Sequence, residues 1–395
     1  MKIIIICPDF QKSNIRKLPW KYVYEIAKYL SKKHKVTVIT DSDKMDLDEI
    51  KIVSLKRLFI PLIGETEELL NIIKKENPDK CIMLLGLSSF LRKDFKIDKS
   101  VIGIFTSPIY SINDLITNVG IKNSVKYRKY TFIHYLNALI PGYLVRKWGN
   151  KFDQLIFLSK DTQKKLIQAG LPPEKAFFLP PSVDDEFFLS PKHEDVDKIK
   201  IRINPENVPV IMYFTSPLTL RGTDILVKAF SRVRKRMTCK LVFLSRIDHN
   251  ELLKEEEILN KIATREGIND SIEIISTYLS LEQIKGYLAT SNVVCLPFKI
   301  VLSDIPVSIL EAMALEKPVI STNVGCIPEI LEKNGITVNP NDPNDLADSL
   351  KQLLTNKDLA NKMGNKSGKY MQNYPKWDEI AEKFIEIVEN NHCNV

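Results

Sequence analysis

The stretch FKIVLSDIPVSILEAMALEKPVISTNVGCIPEI, Phe298 to Ile330, decides how the rest of the chain is read. NVVCLPF just before it is a short apolar run that stops at Pro297 and Phe298, the form of a buried strand. A polar loop follows over Lys299 to Ile305. A helix then opens at Pro306 or Val307, because proline suits a first helical turn. That helix aims unpaired backbone N–H groups near Val307 and Ser308 beyond the strand ends, where an anion is the natural guest.

Strand, loop, helix, strand and second loop follow in this order over some thirty residues, and the run resembles retaining glycosyltransferase family 4, the glycosyl transferases group 1. The family pattern PSxxEGFPxxxLEAMAxGxPVIxxxxGGxxE is matched by EAMALEKPVIS (Glu311 to Ser321) and VGCIPE (Val324 to Glu329). The resemblance implies the GT-B fold, an α/β architecture of two facing Rossmann-like domains with parallel sheets and a C-terminal crossover helix. It also implies that Glu311, as the second Glu of a Glu-x7-Glu pair, binds the ribose of a nucleotide sugar, since a carboxylate accepts from both vicinal hydroxyls. The other reading of Glu311 is an acidic residue that complements its own helix dipole. Ser303 stands where the first Glu belongs, Asp304 stands at a usual glycine, and Cys326 replaces the second glycine of a pair. Asp304 offers a carboxylate one position along the loop.

Composition agrees with two domains. The chain has 395 residues, 44% hydrophobic and 27% charged, which is enough for two separate cores. No apolar run approaches the eighteen residues of a membrane span, and MKIIIICPDF is too short for a signal peptide, so a cytoplasmic protein is expected. Six cysteines without CxxC spacing read as buried thiols, and five histidines lack paired spacing, so no metal and no cofactor are expected. The excess of 57 Lys and Arg over 49 Asp and Glu favours anionic partners such as nucleoside diphosphates or an acidic membrane. Nothing in the sequence reads as a nucleic-acid module.

The first domain is expected over 1–190, rejoined by a final helix over 376–392, and the nucleotide-sugar domain over 191–375. KIIIIC and VTVIT read as strands flanking a helix with Val23, Ile26, Ala27 and Leu30 on one face. Between them PDFQKSNIRKLPW has no glycine where the family has several. Arg16 and Lys17 are left as anion contacts there, with Trp20 either a contact or a staple. Asp41 to Asp43 resembles the metal-binding Asp-x-Asp of another glycosyltransferase fold, but acidic residues are common in such turns. KCIMLL and VIGIF read as further strands, with a helix over Glu65 to Lys75. After VIGIF the family often has a His facing the transferred sugar or the acceptor, and this chain has Thr106 and Ser107. The segment Val119 to Asn150 mixes Lys122, Lys126, Arg128, Lys129, Arg146 and Lys147 with aromatics, either an anionic-bilayer contact or a helix with a basic outer face.

QLIFLSKDTQKKLIQAGLPPEKAFFLPPSVDDEFF (Gln154 to Phe188) again resembles the family, with Ser159 as N-cap of a helix ending at Gly170. A charged, proline-containing linker is expected over 190–209. In PVIMYFTSPLTLRGTDILVKAFSRV the family's Gly-Arg and Lys-Gly fall on Ser216 and on Arg221 with Gly222, so Arg221 keeps a cation suited to phosphate. Arg246 is a second candidate cation, and the base is expected near Ser276 and Thr277. Trp377, Ile380, Ala381, Phe384, Ile385 and Val388 form the stripe of the last helix. The resemblance thus implies a retaining glycosyltransferase moving a sugar from a UDP- or GDP-linked donor to a sugar or lipid-linked acceptor, in the cytoplasm, either free or peripheral on the cytoplasmic membrane face. The alternatives are a nucleotide-sugar-binding partner protein of weak activity, or a nucleotide-sugar epimerase.

Overall fold

A computed structural model describes residues 1–43, 46–47, 50–61, 63–92, 95–245 and 251–389. The apolar runs fold as two parallel sheets. The first contains β1 (Lys2–Ile6), β2 (Lys35–Thr40), β3 (Lys51–Ser54), β4 (Lys80–Leu85), β5 (Ser100–Phe105), β6 (Gln154–Phe157) and β7 (Ala176–Phe178), in the order β3-β2-β1-β4-β5-β6-β7. The second contains β8 (Val210–Thr215), β9 (Lys240–Ser245), β10 (Ile272–Ile275), β11 (Val293–Leu296), β12 (Val319–Thr322) and β13 (Ile336–Val338), in the order β10-β9-β8-β11-β12-β13. Central strands such as VIMYFT are buried at every residue, as strands covered by helices on both faces must be.

The sequence places most of these elements to within two residues. The helix Trp20–Ser31 buries Val23, Ile26, Ala27 and Leu30, and Ser159 Oγ accepts from Thr162 N (3.1 Å) as an N-cap. The helix expected over Glu65 to Lys75 runs instead from Glu67 to Glu76. Thr66 caps it, and Glu65 is drawn into a two-stranded hairpin where its carboxylate meets Arg92 (3.3 Å).

The expected linker over 190–209 is not one. His193–Ile203 is a helix packed on the Leu281–Thr290 helix of the second domain. The approach is close enough that a Cβ on Gly286 would sit 2.7 Å from Ile199 Cδ1. Its charged face hid a narrow apolar stripe of Ile199 and Ile203. The last helix, Trp377–Glu389, crosses back to the first domain, where Trp377 meets Tyr22 edge-on at 5.7 Å and Ile380, Phe384 and Val388 are buried.

The two sheets face one another across a cleft that is closed by direct bonds. Asp304 N donates to Thr106 O (3.0 Å), and Tyr110 Oη accepts from Val301 N (2.8 Å) and donates to Val301 O (3.1 Å). Glu329 accepts from Lys160 N and Asp161 N, both at 3.0 Å. One domain's carboxylate therefore caps the other domain's helix, where the dipole favours it.

Candidate functional site

In the second sheet the chain builds outward in one direction from β8 and in the other from β11, so these neighbours form the topological switch point. Loops leaving their carboxyl ends diverge and open a crevice, the place where open parallel sheets bind ligands. The loop after β8 makes a tight turn at Thr219–Arg221 that ends on Gly222 with φ +76°. A Cβ on Gly222 would lie 1.7 Å from Pro297 O, so only glycine allows this turn to touch the end of β11. The two loops are then joined, because Lys299 N and Ile300 N both donate to Leu220 O (3.1 and 3.3 Å).

Several of the expected residues stand on the elements that follow these two strands. Arg221 is held at the turn by a hydrogen bond from Nη1 to Thr215 Oγ1 at the end of β8. The Val307–Ala314 helix, which follows β11 and its loop, has Pro306 at its N-cap, and no side chain caps it. Its Val307 and Ser308 N–H groups belong to the unpaired first turn, and both residues are half-buried. Glu311 is half-buried one turn further along the same helix. A planar cation on the loop after β8, and an uncapped helix N-terminus with a carboxylate one turn in after β11, thus follow the two strands of the switch point. Such a crevice suits a ligand with a doubly anionic centre and adjacent hydroxyls.

Ser216 is buried at the turn's entrance, where its carbonyl accepts from Tyr213 Oη (2.7 Å), and it adds no charge. Lys299, which the sequence reading passed over, is a buried cation on the joined loop, paired with Asp224 at 2.9 Å. Its only signal was a lysine directly after an apolar strand. Arg246 lies outside the described residues.

The opposite wall comes from the first domain. Asp304 points away from the crevice and into this wall. It is 1% exposed, its Oδ1 accepts from Thr162 Oγ1 (2.7 Å), and Cys326 Sγ donates to its carbonyl (2.8 Å). Burial pushes its carboxyl up to about 6, against the pull of the Thr162 and Ser159 hydroxyls, with the Asp161 and Glu329 carboxylates adding to the rise. Ser303 beside it is half-buried. Thr106 turns its hydroxyl back to Leu85 O (3.4 Å), and Ser107 is half-buried next to it.

Arg16 reaches across the cleft to Tyr278 Oη (2.7 Å). That tyrosine is 82% exposed and follows the exposed Ser276 and Thr277, with Ser276 Oγ donating to the Glu256 carboxylate. Trp20 is a staple, since its indole N–H donates to Pro8 O (2.8 Å). The glycine-free loop is held by side chains. Asp9, at φ +54°, accepts from Gln11 and Asn14, and Asp41 takes Asp9 N at 2.8 Å. Asp41 is thereby a loop anchor. Among the described residues there is no cluster of three His, Cys, Asp or Glu able to hold a metal, and the five described cysteines are buried and free. A cavity of about 410 Å³ lies beside the last helix, between Lys160, Pro180, Glu329, Tyr374 and Lys383, and contains none of Arg221, Gly222, Val307 or Glu311.

Residues 209–356 match the family model described as glycosyl transferases group 1. Among curated proteins, the GDP-mannose-dependent alpha-(1-6)-phosphatidylinositol monomannoside mannosyltransferase of Mycobacterium tuberculosis is 24% identical over 253 residues, which is 62% of this chain and 64% of that protein. The chain therefore aligns with less than two thirds of that relative's length. Among solved structures, a glycosyltransferase from Rickettsia africae superposes over 100% of this chain and 99% of its own, with TM-score 0.73 and 18% identity. Anabaena HepE in complex with UDP-glucose superposes over 98% of this chain and 99% of its own, with TM-score 0.72 and 14% identity. The two superpositions extend over both parallel sheets of this chain.

Proposed function

We propose that this chain, whose residues 209–356 match the glycosyl transferases group 1 model, transfers a hexose with retention from a nucleoside diphosphate sugar to a sugar or lipid-linked acceptor. The observation that carries this reading is the switch-point crevice. There Gly222 lets the Arg221 turn press against Pro297 at the end of β11, and the next helix of the chain, Val307–Ala314, is uncapped with Glu311 one turn in. The hard step in such a transfer is departure of the diphosphate as positive charge grows on the anomeric carbon. Arg221 and the Val307 and Ser308 N–H groups would stabilise that leaving group, and Glu311 would hold the ribose and so set the position of the reacting carbon. The reading calls for no metal. Relatives named for GDP-mannose and a neighbour bound to UDP-glucose support GDP or UDP as the donor nucleotide.

Lipid-linked acceptors are supported by charge and exposure. Residues 115–152 hold seven of the 57 Lys and Arg and none of the 49 Asp and Glu, so the rest of the chain is nearly neutral at +1. Ile121 (71% exposed), Val125, Phe132 (66%), Leu139 and Tyr143 lie bare among these bases. The Arg128–Ala138 helix meanwhile buries Thr131, His134 and Asn137. A helix with polar residues inside and apolar ones outside suits the surface of an anionic bilayer. No helix among the described residues is long and apolar enough to cross a membrane.

The test is release of nucleoside diphosphate from GDP-mannose and UDP-glucose across an acceptor panel that includes lipid vesicles. Release only when acceptor is present marks a transferase, and free sugar isomers mark an epimerase. Arg221→Ala should abolish turnover while leaving the fold intact, and unchanged turnover would remove Arg221 from the diphosphate site. A nucleotide-sugar-binding partner protein is the second reading, favoured by Ser303, Ser216 and Cys326 at positions where the family carries Glu, Arg and Gly. Donor binding without any release would select it.

A further inference from the structure

Glu255, on the Glu251–Glu266 helix of the second domain, is 5% exposed. Its Oε2 accepts from Thr219 N (3.0 Å) and Thr219 Oγ1 (2.8 Å) in its own domain. Tyr127 Oη, from the first domain, lies 2.9 Å from Oε1 and 2.8 Å from Oε2, and Lys126 Nζ adds a contact at 3.4 Å. We propose that Glu255 is a positioning residue that makes closure of the cleft and presentation of Arg221 one event. The proposal rests on the nucleotide reading of the crevice given above.

Thr219 opens the turn whose last residues are Arg221 and Gly222. Arg221 N donates to Leu218 O (2.8 Å) and Gly222 N to Thr219 O (3.0 Å), so the turn moves as a unit. A displacement of Thr219 is therefore passed to the guanidinium. In an open cleft the carboxylate keeps its Thr219 bonds and exchanges Tyr127 and Lys126 for water. Closure brings a phenol astride both carboxylate oxygens, buries the charge with its hydrogen bonds satisfied, and fixes the turn from the other side. Lys126 and Tyr127 lie within the basic, apolar segment 115–152, so the surface proposed to meet the bilayer also holds the Arg221 turn. The burial of Tyr127 beside Glu255 raises its pKa, so the phenol stays a donor at neutral pH.

Three variants test this. Tyr127→Phe keeps the ring and the Thr219 bonds but removes the donor across the cleft. Glu255→Gln weakens both sides. Thr219→Ser keeps both bonds. Small-angle scattering of the protein without nucleotide should find the wild type and Thr219→Ser compact and Tyr127→Phe expanded. Calorimetry with GDP and UDP should give weaker affinity for both Tyr127→Phe and Glu255→Gln, about tenfold for the latter, the size of one lost charge-assisted hydrogen bond, and wild-type affinity for Thr219→Ser. Nucleoside diphosphate release by Tyr127→Phe should fall about tenfold in kcat/KM for the donor, whereas Thr219→Ser should match the wild type. A Tyr127→Phe variant as compact as wild type overturns the proposal. So does a Glu255→Gln variant that loses thermal stability while keeping full nucleotide affinity. A wild type that binds neither nucleotide would refute the reading of the crevice instead, and the scattering comparison would still decide the latch.

Discussion

Replacing Asp304 with asparagine isolates the cost of a carboxylate placed in the closed interface. Burial raises its pKa from 3.8 to about 6 in the folded chain, a shift of about 2 units that corresponds to roughly 3 kcal/mol. The sign follows from linkage. Because the folded form holds the proton more tightly, stability is highest where both forms are protonated, below about pH 4, and falls as pH rises to about 6. Above that the full cost is present. Asparagine cannot ionise, keeps an oxygen to accept from Thr162 Oγ1, and nearly preserves the volume. Asp304→Asn should therefore be more stable than wild type by up to roughly 3 kcal/mol at pH 7.5, with the gain shrinking through pH 6 and gone at pH 4. Thermal unfolding followed by circular dichroism at pH 7.5, 6 and 4 reads this directly. A variant less stable than wild type at pH 7.5, or a gain that does not change with pH, would refute the reasoning.

Gly222→Ala should eliminate nucleotide binding in a protein that still folds, because its Cβ would overlap Pro297 O and force the Arg221 turn off β11; full affinity in calorimetry would contradict this. Asn137 is buried with neither amide atom hydrogen-bonded, and Asn137→Leu should raise stability by about 1–2 kcal/mol, since an unsatisfied buried polar group costs about 1–3 kcal/mol. A destabilised Asn137→Leu would mean that the amide is satisfied in solution. Phosphatidylglycerol vesicles at low salt should sediment the protein, high salt should release it, and Lys122→Glu with Lys147→Glu should weaken binding at least tenfold, because each base near such a surface contributes about 1 kcal/mol. No sedimentation at low salt would remove the bilayer from the account.

What could be read from sequence and what could not divide along physical lines. VIMYFT and KCIMLL announce strands because continuous apolar runs are stable only between covering layers. The Val307 helix announces itself through Pro306 and the apolar face that follows. Gly222 was visible as a glycine before a helix, yet its reason, the carbonyl of Pro297, comes from 75 residues away in the chain. Asp304 was legible as a carboxylate near the site, whereas its direction depends on Thr162 in the other domain. The His193–Ile203 helix read as a linker because most of its surface is charged and its partner helix lies beyond residue 280. Lys299 and Glu255 were missed for a related cause. An ordinary Lys or Glu acquires a role only through partners such as Asp224, Thr219 and Tyr127, which no local pattern connects to it.

The central claim is that the crevice between β8 and β11 binds a nucleoside diphosphate. Calorimetric titration of the purified protein with GDP and UDP, in parallel with Glu311→Ala, tests it most directly. Saturable binding of one nucleotide is expected, at least tenfold weaker once the Glu311 carboxylate is gone. A folded wild-type protein that binds neither nucleotide, or a Glu311→Ala variant with undiminished affinity, would contradict it.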